Sequence, residues 1–142
     1  MNFNKYLGAW HEIARLPNWF EKDLVGVTAT YSLKENGDIE VLNQGYIKSL
    51  DGKHKKAIGN AWIPDKTKTG RLKVSFFGPF SADYIVIDID KDYQYALVGS
   101  GENYLWILSR KPILNKEIYP DLVAKAKELG FATNKLIKVV QQ

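Results

Sequence analysis

Glu12 and Asp88 are the acids that strand alternation places among apolar neighbours. Glu12 shares parity with Trp10 and Ala14, and Asp88 with Tyr84 and Val86. Two carboxyls facing one interior raise each other's pKa and can pass a proton, which is the chemistry of an isomerase or a lipid hydrolase. Buried carboxyls are also commonly satisfied by backbone or tyrosine donors, and the pair is read here as structural. Other catalytic groups are scarce. The chain has no cysteine, so thiol nucleophiles, disulfides and cysteine zinc sites are excluded. Its 2 histidines, His11 and His54, have no third ligand at metal spacing, so no metal is expected. No Gly-x-Ser-x-Gly elbow or Walker loop occurs, and Gly99-Ser100-Gly101 lacks the third glycine of a dinucleotide fingerprint. No cofactor is implied.

The elements that must position these residues are strands. Runs rich in Val, Ile, Tyr, Phe and Thr fill residues 8–110, cut by Asn36-Gly37, Asp51-Gly52, Thr69-Gly70, Gly78-Pro79 and Gly99-Ser100-Gly101. The pattern predicts strands over 9–16, 25–34, 38–48, 56–63, 70–77, 83–90, 94–99 and 103–110. After Pro112, Ile118, Leu122, Ala126 and Leu129 recur at helical spacing before Gly130, with Pro120 in the first turn. A last extended run, Leu136 to Val140, is expected to return to the sheet. One helix cannot cover two faces of an eight-stranded sheet, so the sheet is expected to close on itself. The expected fold is all-β: a single domain over 1–142, an eight-stranded antiparallel up-and-down barrel with one C-terminal helix packed outside.

A barrel of this size is either filled by side chains or holds one small ligand. Alternation turns inward Ala14, Val27, Ala29, Tyr31, Val41, Asn43, Ala57, Gly59, Ala61, Leu72, Val74, Phe76, Tyr84, Val86, Ala96, Val98, Tyr104, Trp106 and Leu108. Small residues leave space and aromatics supply walls, as ligand pockets require. The predicted ligand-binding residues are Ala29, Tyr31, Val41, Asn43, Ala61, Leu72, Val74, Phe76, Tyr84, Val86, Val98, Tyr104 and Trp106, and the competing reading is a solid core. The 142 residues are 45% hydrophobic, the composition of one ordinary globular domain, and no apolar run approaches the ~20 residues of a membrane-spanning helix. The net charge is +4, concentrated in the last 32 residues, where six lysines face three acids. Only three of the bases are arginine and none interleaves with aromatics, so no nucleic-acid partner is expected.

Three words along the chain resemble the lipocalin family in its bacterial lipocalin and apolipoprotein D branch. Tyr6-Leu7-Gly8-Ala9-Trp10-His11-Glu12-Ile13-Ala14-Arg15 is similar to the opening Gly-x-Trp motif, Asp90-Lys91-Asp92-Tyr93 to the second, and Tyr104-Leu105-Trp106-Ile107-Leu108-Ser109-Arg110 to the third. Thr28 to Leu33 and Leu72 to Phe80 point to the same branch. His11 departs from it, standing where an aromatic is usual, and the second motif lacks the usual Thr-Asp-Tyr wording.

The resemblance implies a structural role for Gly8, Trp10, Asp90, Tyr93 and Arg110, with Trp10 plugging one barrel end beneath the Arg110 guanidinium. It implies a non-enzymatic carrier of fatty acids, lysophospholipids or other small hydrophobic ligands, as monomer or homodimer. A tetrapyrrole (bilin or haem) is the alternative cargo, and a cavity enzyme using Glu12 and Asp88 a lesser one. Enzymes of the family use a cavity cysteine, which this chain lacks. The implied location is the periplasm or outer membrane through a lipidated cysteine absent from these residues; a soluble cytoplasmic variant is the other expectation. Leu16-Pro17-Asn18-Trp19-Phe20 forms an open-end loop that either touches a membrane or packs on its own barrel.

Overall fold

The computed structural model describes residues 1–141. Eight strands follow one another as antiparallel neighbours: β1 (Gly8–Arg15), β2 (Leu24–Leu33), β3 (Ile39–Ile47), β4 (His54–Trp62), β5 (Arg71–Phe77), β6 (Phe80–Ile89), β7 (Tyr95–Ser100) and β8 (Tyr104–Ser109). β8 pairs with β1 and β1 with β2, which closes the barrel. Each predicted strand is present to within two or three residues, because the turns sit where glycine permits them; Gly37, Gly78 and Gly101 all have positive φ.

β1 is shared along its length. Gly8 to His11 pair with β2, whereas Ala14 and Arg15 pair with a short strand β9 (Ile137–Lys138). The C-terminal segment seals the seam left between β1 and β2, with Val139 N–H bonded to Ile13 O at 2.9 Å and Gly26 N–H to Val140 O at 2.7 Å. The predicted return of the chain to the sheet is therefore correct, although ladder pairing covers only two residues.

Two clusters share the apolar residues. Inside the barrel lie Trp10, Tyr31, Val41, Leu72, Ala96, Val98 and Leu108. Outside, helix α2 (Ile118–Glu128) lays Leu122 and Ala126 over Leu97, Leu105, Ile107 and Ala14. This is the cover that apolar residues on both faces of β8 require. Pro120 occupies the first turn, where its missing N–H has no intrahelical partner to lose. Gly130 follows the helix at φ +95°, as expected for a terminating glycine. Leu129 departs from the predicted stripe: it is exposed, because the helix has ended by then.

Two inward assignments fail for one reason. β1 shifts register between Glu12 and Ala14, and β6 between Val86 and Asp88. A bulge adds one residue and reverses the parity beyond it. Ala14 consequently belongs to the outer cluster with α2, and Asp88 pairs with the outward-facing Leu97, where its carboxylate meets Lys125 of α2 at 3.4 Å. A two-carboxyl interior made of Glu12 and Asp88 does not exist.

Candidate functional site

One end of the barrel is closed from the sequence upward. A four-residue helix α1 (Phe3–Tyr6), capped by the Asn2 side chain, tucks Phe3 and Tyr6 beneath the sheet before β1 begins. Trp10 is fully buried, its indole N–H donates to Tyr6 O at 2.8 Å, and Tyr6 packs on it at 4.9 Å between ring centroids. The Arg110 guanidinium lies 3.8 Å from the Trp10 ring centroid. It also donates to the carbonyls of Lys5, Tyr6, Leu7, Ala9 and Tyr93, so a single side chain ties α1, the start of β1 and the β6–β7 turn together. Gly8 has φ +106°, and a Cβ there would stand 3.2 Å from that guanidinium. Asp90 accepts from Gln94 N–H and the Tyr93 hydroxyl accepts from Asn2 N–H, which fixes the turn. The five motif residues thus belong to this closure.

Paired residues in an antiparallel sheet face the same side, so register identifies the lining independently of sequence parity. Trp10 opposes Ala29, Ala29 opposes Asn43, and Asn43 opposes Ala57. Tyr31 opposes Val41, Ala61 opposes Val74, Leu72 opposes Tyr84, and Val86, Val98 and Trp106 form one row. Tyr104 stacks on Trp106 at 6.1 Å. All thirteen predicted lining residues face inward.

Exposure divides them. Tyr31, Val41, Ala61, Leu72 and Val98 are at most 5% exposed, packed against the closed-end plug. Ala29, Asn43, Val74, Phe76, Tyr84, Val86, Tyr104 and Trp106 are half-buried, and the inward-facing Ala57 and Ala82 at the far end are exposed. Inward residues that meet solvent define an open mouth. Gly59 makes room for Phe76 here: a Cβ would lie 2.7 Å from its ring. Between the halves three hydroxyls meet, with Tyr84 2.5 Å from Tyr6 and 2.8 Å from Tyr31. Burial pushes all three phenols above their ordinary pKa, so they stay neutral and hydrogen-bond one another.

A second polar cluster sits above the tyrosines. The bulge that turns Ala14 outward brings Arg15 to the same side as Glu12, opposite Trp106. Arg15 lies 3.2 Å from Glu12 and 3.8 Å from Glu21, and donates to the carbonyls of Glu21 and Leu24. Glu21 closes a 3₁₀ turn (Trp19–Glu21) and accepts from Trp106 Nε1 and Asn18 Nδ2, both at 2.8 Å. Burial, then the neighbouring Glu21 carboxyl, holds Glu12 well above the usual carboxylate range, against the pull of Arg15. This cluster pins the loop to the barrel wall. Arg15 and Glu21 are not predicted by strand alternation, since i,i+3 residues of a regular strand face opposite sides; only the bulge unites Glu12 with Arg15. Tyr6 is missed because it precedes the first alternating run.

Residues 1–141 match the family profile described as a lipocalin-like domain. The chain is 46% identical over 141 residues to the outer membrane lipoprotein Blc of Vibrio cholerae, spanning 98% of this chain and 82% of that protein. It is 40% identical over 140 residues to apolipoprotein D of Bos taurus, across 92% and 70% of the two chains. The crystal structure of lobster apocrustacyanin A1 superposes with a TM-score of 0.79 at 23% identity, covering 99% of this chain and 80% of that one.

Proposed function

The chain belongs to the lipocalin family, whose members bind small hydrophobic ligands, and we propose that it carries fatty acids or lysophospholipids with the acyl chain in the open half of its barrel. The observation that carries this reading is the exposure gradient: apolar residues facing inward become accessible towards one end only, above a floor of buried aromatics. Val74, Phe76, Val86, Tyr104 and Trp106, with Ala29 and Asn43, are the contacts assigned to the chain. Tyr31, Val41, Ala61, Leu72, Tyr84 and Val98 form the floor on which its methyl end stops. Each buried CH₂ contributes about 0.8 kcal/mol, so a chain of ordinary length reaches micromolar affinity even partly enclosed.

The reading is of a binder rather than an enzyme. Glu12 has no inward partner in Asp88, which meets Lys125 outside the barrel, and its carboxyl is engaged by Arg15. Relatives named outer membrane lipoproteins support a place in a bacterial envelope. Native mass spectrometry of delipidated protein against oleate, a lysophosphatidylethanolamine and biliverdin tests the reading. A 1:1 acyl-lipid adduct that is weakened by Trp106→Ala is the expected result; a biliverdin adduct alone makes the barrel a pigment carrier, and no adduct at all makes it a filled one.

A further inference from the structure

The aromatic residues that the fold leaves exposed are not scattered. Among the described residues they are Trp19 at 79%, Phe20 at 41%, Phe77 at 76% and Phe80 at 77%, and all four lie at the open end. In an up-and-down barrel the loops alternate between ends, so residues 16–23, 48–53, 78–79 and 101–103 ring the mouth. Trp19 and Phe20 stand on the first of these, while Phe77 and Phe80 pair side by side across the third, on the opposite side of the opening. Between them, the β3–β4 hairpin presents Lys48, Lys53 and Lys55 against Asp51 alone, all exposed. The remaining exposed charges of the rim, Lys22, Asp23 and Glu102, leave it net positive.

Aromatics on opposite sides of an opening cannot bury one another, and a partner that covers both while also meeting the lysines must be broad and flat. Trp and Phe favour the boundary between headgroups and acyl chains, and lysines beside them favour an anionic surface. We propose that the open rim docks on an anionic phospholipid bilayer, with Trp19, Phe20, Phe77 and Phe80 entering the headgroup boundary and Lys48, Lys53 and Lys55 facing lipid phosphates. The mouth then opens directly onto acyl chains, so a ligand passes between bilayer and barrel without crossing water. The passage of ligand rests on the carrier reading above; the docking does not.

Flotation of the full chain with dioleoylphosphatidylcholine vesicles, with and without phosphatidylglycerol, tests this. The expected result is binding to the anionic vesicles that falls at least tenfold in Phe77→Ser/Phe80→Ser and again in Trp19→Ser. It should weaken with salt and stay unchanged in the control Leu33→Ser, which removes an exposed leucine at the closed end. Binding of a soluble fluorescent fatty acid by Phe77→Ser/Phe80→Ser, measured without vesicles, should match the parent. Vesicle binding that ignores the rim substitutions or the anionic lipid overturns the proposal, as does a dimer in lipid-free solution that the same substitutions dissociate. Docking with no fatty-acid binding would retain the rim and remove the carrier.

Discussion

The two halves of this barrel are built from the same strands and similar residues, yet one is packed solid and the other leaves its inward residues half-buried below an open rim. The closed half contains Phe3, Tyr6, Trp10 and Leu108, all buried, with Arg110 bonded to five backbone carbonyls outside. The open half has aromatics of equal size, but Phe76, Tyr84, Tyr104 and Trp106 stay half-buried there. Its one polar cluster, Glu12, Arg15 and Glu21, is spent on holding a loop against the wall. The packed half of this barrel is thus set by what enters from the end, α1, as much as by the composition of the strands.

The contrast can be broken most severely at the floor. Trp10→Ala removes a fully buried indole and the surface on which Arg110 rests, and should cost about 3–5 kcal/mol in urea unfolding. Removal of Arg110 itself, as Arg110→Ala, strands the carbonyls it serves and should cost about 2–3 kcal/mol, lowering the melting temperature without altering the ligand class. A matched pair then sharpens the comparison. Ala61→Phe, in the packed half at 1% exposure, should destabilise by about 1–3 kcal/mol through overpacking. Ala29→Phe, in the open half, should leave stability nearly unchanged and instead weaken acyl-chain binding by about tenfold, or 1.4 kcal/mol, because it takes the ligand's volume.

The smallest effect lies in the loop latch. Glu12 is held above its unfolded pKa, so the folded state keeps a proton that the unfolded chain releases. Stability from this group is therefore greatest below the ordinary glutamate pKa, falls as pH rises from there towards the raised folded value, and is level above it. Glu12→Gln keeps an acceptor for Arg15 and should remove that slope. Chemical denaturation of parent and variant at pH 4 and pH 7 should show the variant gaining relative to the parent at the higher pH.

Most of the architecture is legible in the residues. Turn glycines mark the hairpins and alternation separates wet from dry faces, whereas the closed end, with Trp10 and Arg110, is implied by the family resemblance of their motifs. The failures share a cause that alternation cannot contain. Ala14 and Asp88 lie just past bulges, where one added residue reverses every later face, and Arg15 becomes an interior residue by the same step. The division of the lining into floor and cavity is likewise absent from strand patterning. It depends on Phe3 and Tyr6, which come from a helix of four residues too short to announce itself by periodicity.

The central claim is that the acyl chain occupies the open half and stops at the tyrosine hydroxyls. Nuclear Overhauser contacts from the terminal methyl of a ¹³C-labelled lysophospholipid test it most directly. The account predicts contacts to Tyr31, Tyr84 and the neighbouring Val86 and none to Trp10 or Phe3. Contacts to Trp10, or to outer-face residues such as Leu97 and Leu105, would contradict it.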